Sequence, residues 1–156
     1  MLFEKIQVKS NLHTHEPRRK VFKLKDRYRK EWPAGEKFYF AGNTLDQHIL
    51  LLDKFMPGYV LDYGFTKNGF FIDYKILPGI PLELCNYQAI KEDVINICIE
   101  HLKTTWPYAH YDWSKSNILV DHDSVHLIDW DNIQDYSKDF TLETMINRLI
   151  KKIGVD

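Results

Sequence analysis

Apolar and polar positions alternate through the first third of the chain, and that rhythm predicts strands. FEKIQVK alternates near the start, and KVFKLK alternates again with Val21, Lys23 and Lys25 on one face. NLHTHEP between them reads as a turn-like connection, WPAGE breaks the pattern, and KFYF suits a further short strand. The period then changes. In NTLDQHILLLDKF, Leu45, Ile49, Leu52 and Phe55 recur at helical spacing, with Asn43 or Thr44 as cap and Asp46 in the first turn. Pro57-Gly58 ends that helix. YVLDYGF and FFIDYKI flank Lys67-Asn68-Gly69, whose Asn-Gly pair signals a hairpin turn.

Pro78, Gly79 and Pro81 in LPGIPLE oppose regular structure, and this connector is the expected boundary between lobes spanning residues 1–77 and 78–156. A helix over residues 87–104 follows, with Ile90, Val94, Ile97, Cys98 and Leu102 on its apolar stripe. A last helix over residues 141–153 presents Leu142, Met145, Ile146, Leu149, Ile150 and Ile153.

Composition narrows the partners. The chain of 156 residues suits one domain or two small lobes. With a net charge of -1, nothing global argues for nucleic acid or an anionic membrane as partner. Residues 18–30 are nonetheless strongly basic, and read either as a solvated strand edge or as the positive wall of a polyphosphate site. Cys85 and Cys98 lack the spacing of a disulfide framework or zinc knuckle, so both are expected as reduced core thiols. His13-x-His15 and Asp121-His122-Asp123 read as water-exposed loop residues, since zinc sites show more ligands at tighter spacing. The start of the chain has no long apolar run and no stretch is of transmembrane length, so a cytoplasmic protein is expected.

The chemistry concentrates in HYDWSKSNILVDHDSVHLIDWDN, residues 110–132. Two short apolar runs around Asp121-His122-Asp123-Ser124 predict an antiparallel hairpin in which Val120 faces Val125. Counting back sets Asn117 opposite Ile128, so Asp129 emerges beside Asn117, with Asp112 on the loop leading into that end. A carboxylate and a carboxamide oxygen on neighbouring strand ends are hard ligands suited to Mg²⁺ that substrate phosphates also hold. A further carboxylate set back on the loop suits orientation or deprotonation of a hydroxyl. Together these groups fit phosphoryl transfer, where positioning and charge neutralisation do most of the catalysis.

His110-x-Asp112-x-x-x-x-Asn117-Ile-Leu-Val resembles the catalytic loop of the protein-kinase-like fold. Ile128-Asp129-Trp130-Asp131 resembles its metal-binding motif in the form found in aminoglycoside phosphotransferases and choline kinases. The resemblance implies Asp112 as catalytic base, Asn117 and Asp129 as Mg²⁺ ligands, Asp131 as a second acidic residue and His110 as a prop for the loop. Ser114 departs from the usual His or Lys of the small-molecule kinases. ILPGIPLE resembles their hinge, which puts adenine near Tyr74, Lys75, Ile76 and Leu77. The fold also calls for a strand lysine on the α- and β-phosphates. Lys23 and Lys25 both qualify, and Lys23 is preferred because its same-face neighbour is the apolar Val21. Asp46 or Gln47 stands where a glutamate normally pairs with that lysine, and residues 11–17 take the place of the Gly-rich loop.

The expectation is therefore an α+β chain of the protein-kinase-like two-lobed fold. Its N-terminal part is an antiparallel sheet with one helix, and its reduced, mainly helical C-terminal lobe carries the catalytic hairpin. The implied activity is transfer of the γ-phosphoryl group of ATP, with Mg²⁺, to a hydroxyl of a small molecule. The alternative is a pseudokinase or nucleotide-binding interaction module without turnover. Neither the acceptor nor the oligomeric state is encoded in these motifs.

Overall fold

The computed structural model describes residues 6–7 and 19–154, and the chain divides into two compact units, Met1–Ile76 and Leu77–Asp156. The architecture is α+β. Residues 11–17, His13 and His15 lie outside the described residues.

In the first unit, β1 (Ile6–Gln7), β2 (Lys20–Lys23), β3 (Arg27–Pro33), β4 (Val60–Thr66) and β5 (Gly69–Lys75) form one antiparallel sheet in the order β1-β2-β3-β5-β4. The strand β3 was not expected from the sequence. Its residues RYRKEWP are charged on both faces, so no apolar alternation marks them. Pairing explains how such a strand stays in the middle of a sheet. Tyr28, Lys30 and Trp32 stand opposite Tyr74, Ile72 and Phe70, whereas Arg27 and Arg29 stand opposite Lys75 and Asp73. Trp32 stacks on Phe70 at 5.0 Å, and Phe40 meets both rings edge-on. On the other face Arg29 grips the buried Asp73 through two hydrogen bonds of 2.7 and 2.9 Å, and Arg27 adds one of 3.3 Å. A carboxylate so far from water is tolerable only when paired in this way.

KFYF, expected as a strand, is instead the short helix α1 (Glu36–Tyr39). Gly35, at φ 111, turns the chain through the left-handed region that glycine tolerates, and Phe40 at the far end drops into the core. The helix α2 (Leu45–Phe55) begins with a reciprocal capping box between Thr44 and Gln47. It buries Leu45, His48, Ile49 and Leu52. The turn between β4 and β5 consists of Lys67 and Asn68, because Thr66 already pairs with Gly69. Gly69 is compelled for a different reason from the one its Asn-Gly context suggests. A Cβ there would sit 1.9 Å from the Trp32 carbonyl oxygen.

His48 lies wholly inside this unit, stacked on Phe40 at 3.9 Å, and among the described residues neither ring nitrogen has a hydrogen-bond partner. Burial first, and the Lys30 charge second, push its pKa down from 6.5 to about 3. The unfolded chain therefore takes up this proton before the folded one does. The neutral ring contributes its full stability above pH 6.5, and that contribution is lost as pH falls toward 3. The slope for one such group is about 1.4 kcal/mol per pH unit. Urea midpoints measured down this window should fall more steeply for the parent chain than for His48→Phe, and equal slopes would contradict the assignment.

The second unit contains β6 (Ile80–Pro81), α3 (Tyr87–Thr105), β7 (Tyr108–Ala109), β8 (Ile118–Asp121), β9 (Ser124–Leu127), β10 (Gln134–Asp135) and α4 (Leu142–Gly154). The connector expected to lack regular structure supplies β6, which pairs Ile80 with Val120 and Pro81 with Leu119. Gly79 permits that approach, since at φ 119 a Cβ would meet the Val120 carbonyl oxygen at 2.8 Å. The hairpin of β8 and β9 has the expected register, Val120 opposite Val125, with His122 and Asp123 as its turn. β10 pairs with β7. This unit is thus two helices with two small sheets, and is less predominantly helical than its sequence suggests. The buried stripe of α3 is Val94, Cys98, Leu102 and Thr105, and that of α4 is Met145, Leu149 and Ile153. Cys98 sits in the core, where burial pushes its thiol up to about 12, whereas Cys85 is only half-buried. Among the described residues no helix is long and apolar enough to cross a membrane.

Candidate active site

The candidate base and metal ligands all belong to the second unit, on two loops that the short strands bring together. β7 delivers the chain into residues 110–114, and a 3-10 turn, Lys115–Asn117, leads into β8. The Ile128 amide donates to the Asn117 carbonyl at 2.9 Å, extending the hairpin by one step beyond β9. The chain then passes through residues 129–133 into β10, which pairs back onto β7 through Gln134 opposite Ala109. Entry and exit are therefore tied at the same end.

His110 joins the two loops. Its Nε2 lies 2.7 Å from the Ile128 carbonyl oxygen, and its Nδ1 accepts from the Asp112 amide at 3.2 Å. A neutral ring carrying its proton on Nε2 satisfies both contacts, since a carbonyl needs a donor and an amide an acceptor. His110 is buried and meets Trp130 edge-to-face at 4.7 Å, while the Trp130 indole donates to the Leu127 carbonyl at 2.8 Å. Trp113 and Trp130 are both packing residues, each 1% exposed. The imidazole is thus a structural strut whose faces are filled by protein.

Asp112 is only half-buried. The Asn117 side-chain amide donates to its Oδ2 at 3.0 Å and to its backbone carbonyl at 3.2 Å. With the Nδ2 so engaged, the Oδ1 is the atom of Asn117 left to face a cation. Tyr111 and Asp129, at φ 74 and 63, hold left-handed backbones that non-glycine residues adopt at a cost of roughly 1–3 kcal/mol each. Such strain persists where neighbours over-determine it, and here Tyr111 precedes Asp112 and Asp129 precedes the buried Trp130.

The oxygen donors fit a metal completed by its substrate, not a closed cage. Among the described residues no group of three or more His, Cys, Asp or Glu side chains is gathered to hold an ion. Asn117 and Asp129, on adjacent strand ends, would supply two protein donors to such a site, since Mg²⁺ usually keeps waters and phosphate oxygens as its other ligands. Asp131, next but one after Asp129, is buried.

The nucleotide-binding candidates Val21, Lys23, Tyr74, Lys75 and Ile76 belong to the first unit, and Leu77 opens the second. Lys23 ends β2, exposed, with its Nζ 5.9 Å from the Tyr28 ring, and Lys25 lies beyond the strand. Tyr74 is buried, Lys75 exposed, and Ile76 and Leu77 half-buried. Lys30, which the sequence pattern does not single out, occupies the middle of β3 opposite Val21 and Ile72, and its Nζ lies 5.6 Å from the Tyr74 ring and 6.0 Å from Trp32. The polar residue on the buried face of α2 is His48. Gln47 is spent on the helix cap, and Asp46 is exposed. The basic run splits accordingly, with Arg27 and Arg29 committed to Asp73.

These features define an α+β chain whose second unit ties two polar loops together at the end of a short hairpin. Solved structures of WbdD, a bifunctional kinase-methyltransferase, share its fold. One aligns with a TM-score of 0.57 at 16% identity, covering 88% of this chain and 43% of that one. A second gives 0.56 at 15% identity over 90% and 44%, and a monomeric form gives 0.54 at 16% over 86% and 45%. The chain therefore spans less than half the length of these neighbours. No protein-family profile and no curated protein sequence matches it.

Proposed function

We propose that the chain is a phosphotransferase that moves the γ-phosphoryl group of ATP to a hydroxyl. The observation that carries this reading is the Asn117–Asp112 hydrogen bond in a loop whose end meets Asp129. It holds a half-exposed carboxylate against the Asn117 carboxamide, with Asp129 one residue beyond the Ile128–Asn117 backbone hydrogen bond. In this reading Asp112 orients the acceptor hydroxyl and takes its proton. Asn117 and Asp129 hold Mg²⁺, with Asp131 behind them, and the ion would neutralise charge on the phosphates. His110 and Trp130 fix the loop.

The residues from Tyr74 to Leu77 bind adenine, and Lys30 takes the phosphate role in place of Lys23. Lys30 lies on a strand flanked by pairing partners on both sides and shares a face with Tyr74, whereas Lys23 sits at an exposed strand end. Calorimetric titration with Mg-ATP should accordingly weaken roughly tenfold in Lys30→Ala, the loss of one charge-assisted contact, and change little in Lys23→Ala. The reverse ranking would restore Lys23.

A nucleotide-binding module without turnover is the second reading, favoured by the lack of any glycine before Gly35 in the sequence. Titration with and without EDTA, followed by a phosphoryl-transfer assay, separates the two. EDTA-sensitive binding with turnover supports the enzyme, and binding without turnover against a broad panel of hydroxyl compounds supports the module.

A further inference from the structure

Among the described residues four other than glycine have a positive φ: Ala41, Tyr111, His122 and Asp129. Tyr111 is the bulkiest of them. His122 has a local reason, since it forms the two-residue turn of the β8–β9 hairpin with Asp123. Tyr111 has none of that kind, because it lies in the irregular stretch between β7 and the Lys115–Asn117 turn. A bulky residue is an outlier in the left-handed region, where its Cβ crowds the following carbonyl oxygen. Contacts elsewhere must hold it there.

That φ decides how Asp112 is presented. The hydrogen bond from the Asp112 amide to His110 Nδ1, 3.2 Å long, spans Tyr111. Rotation of the Tyr111 φ into the ordinary region would swing Asp112 away from the imidazole. The ring is already fixed at its other nitrogen by the Ile128 carbonyl, 2.7 Å away.

The Tyr111 side chain is only half-buried, on an open cleft of about 430 Å³ that it lines together with Gln134 and Tyr136. Packing on all sides therefore does not fix it, and specific contacts do. Its ring stacks on Tyr136 at 4.7 Å and 12°. Tyr136 is a rigid platform, buried and tied at both ends. Its amide donates to the Pro107 carbonyl at 3.0 Å, and its hydroxyl donates to the Asn132 carbonyl at 2.7 Å. Arg148, on α4, sets its guanidinium 4.6 Å from the Tyr111 ring centre and 5.7 Å from that of Phe140. A stacked pair and a cation–π contact together are comparable in size to the cost of one left-handed aromatic residue.

We infer that Tyr111 is a positioning residue for Asp112. Its ring, seated on Tyr136 and held by Arg148, keeps the backbone in the conformation that presents the carboxylate, so α4 acts on the site through Arg148. The effect on turnover rests on the phosphotransfer reading; the effect on the backbone does not.

Two measurements on the full chain keep these apart: hydrogen exchange of the Asp112 amide by NMR, and ADP release from Mg-ATP with water as the hydroxyl acceptor. Tyr111→Ala retains the backbone cost and loses the anchor. It should speed exchange and lower kcat, each roughly tenfold, with the KM for Mg-ATP unchanged. Tyr111→Gly also loses the ring but reaches a positive φ freely, so it should recover much of both losses. A ring needed only for packing would leave glycine no better than alanine. The conservative Tyr111→Phe keeps the stack and should rescue both measurements. Arg148→Met should shift each about threefold in the parent chain and neither in Tyr111→Gly, because Arg148 acts through the ring. If Tyr111→Ala does not fold, this last comparison decides. Equal exchange in alanine and glycine variants, or an Arg148→Met effect that persists in Tyr111→Gly, overturns the inference. Turnover that is the same in all variants also overturns it and leaves phosphotransfer standing. The expected exchange pattern in a chain that releases no ADP upholds the positioning and counts against phosphotransfer alone.

Discussion

Asp112→Asn is expected to reduce phosphoryl transfer by roughly 100- to 10,000-fold while Mg-ATP binds about as tightly as to the parent chain. The size of the effect follows from the role. A positioned base accepts the hydroxyl proton as the bond to phosphorus forms, and a carboxamide of the same shape cannot accept it. The sparing of the fold follows from the local contacts. An asparagine at this position keeps a side-chain oxygen for the Asn117 amide, which now reaches Oδ2 at 3.0 Å, and it leaves the backbone contacts to His110 and Asn117 untouched. Single-turnover transfer and calorimetric titration measured on the same sample test both halves. Unchanged turnover would remove Asp112 from the base role. Loss of nucleotide binding with a normal unfolding transition would make it a metal ligand.

How far the sequence revealed this arrangement depended on where the determining contacts lie. The hairpin of β8 and β9 was legible because its signals are local. Two apolar runs bracket a tight polar turn, and the pairing of Val120 with Val125 follows from counting outward from that turn. The amphipathic helices were legible for the same reason, and of the two cap candidates for α2, Asn43 and Thr44, the structure uses Thr44. β3 was not, because its alternation is written in charges whose meaning depends on a strand some forty residues later. Arg27 and Arg29 make sense only beside Asp73, and Lys30 only beside Tyr74. Without β3 in view, only Lys23 and Lys25 stood out as candidates for a strand lysine. Gly69 illustrates a related failure, since its sequence neighbour suggests a turn residue whereas its real constraint is the backbone of β3 pressed against it. β6, β7 and β10 are pairings of two residues each, too short to leave any period. Yet β7 and β10 close the base of the candidate site and set the wall of the adjoining cleft.

Trp130→Ala is expected to cost about 3–5 kcal/mol, the usual range for deleting a buried tryptophan side chain. Folded domains of this kind have only about 5–15 kcal/mol in total, so the loss consumes a large share. Here the penalty has three sources. The indole is 1% exposed, so its removal leaves a void that the surrounding backbone can only partly close. Its Nε1 satisfies the Leu127 carbonyl at 2.8 Å, which would be left without that donor. Its ring also meets His110 at 4.7 Å and His101 at 5.7 Å, both edge-to-face. Urea unfolding should show a lowered midpoint with an unchanged slope. Trp130→Phe separates the terms: it retains most of the volume and loses the hydrogen bond, and should cost roughly 1–3 kcal/mol. Because Asp129 is held at φ 63 immediately before this residue, the two variants also report on the site. If packing of Trp130 is what keeps Asp129 in the left-handed region, transfer should survive in Trp130→Phe and fall in Trp130→Ala at temperatures well below its unfolding transition. Equal activity in the two would show that the His110 contacts alone hold the aspartate in place.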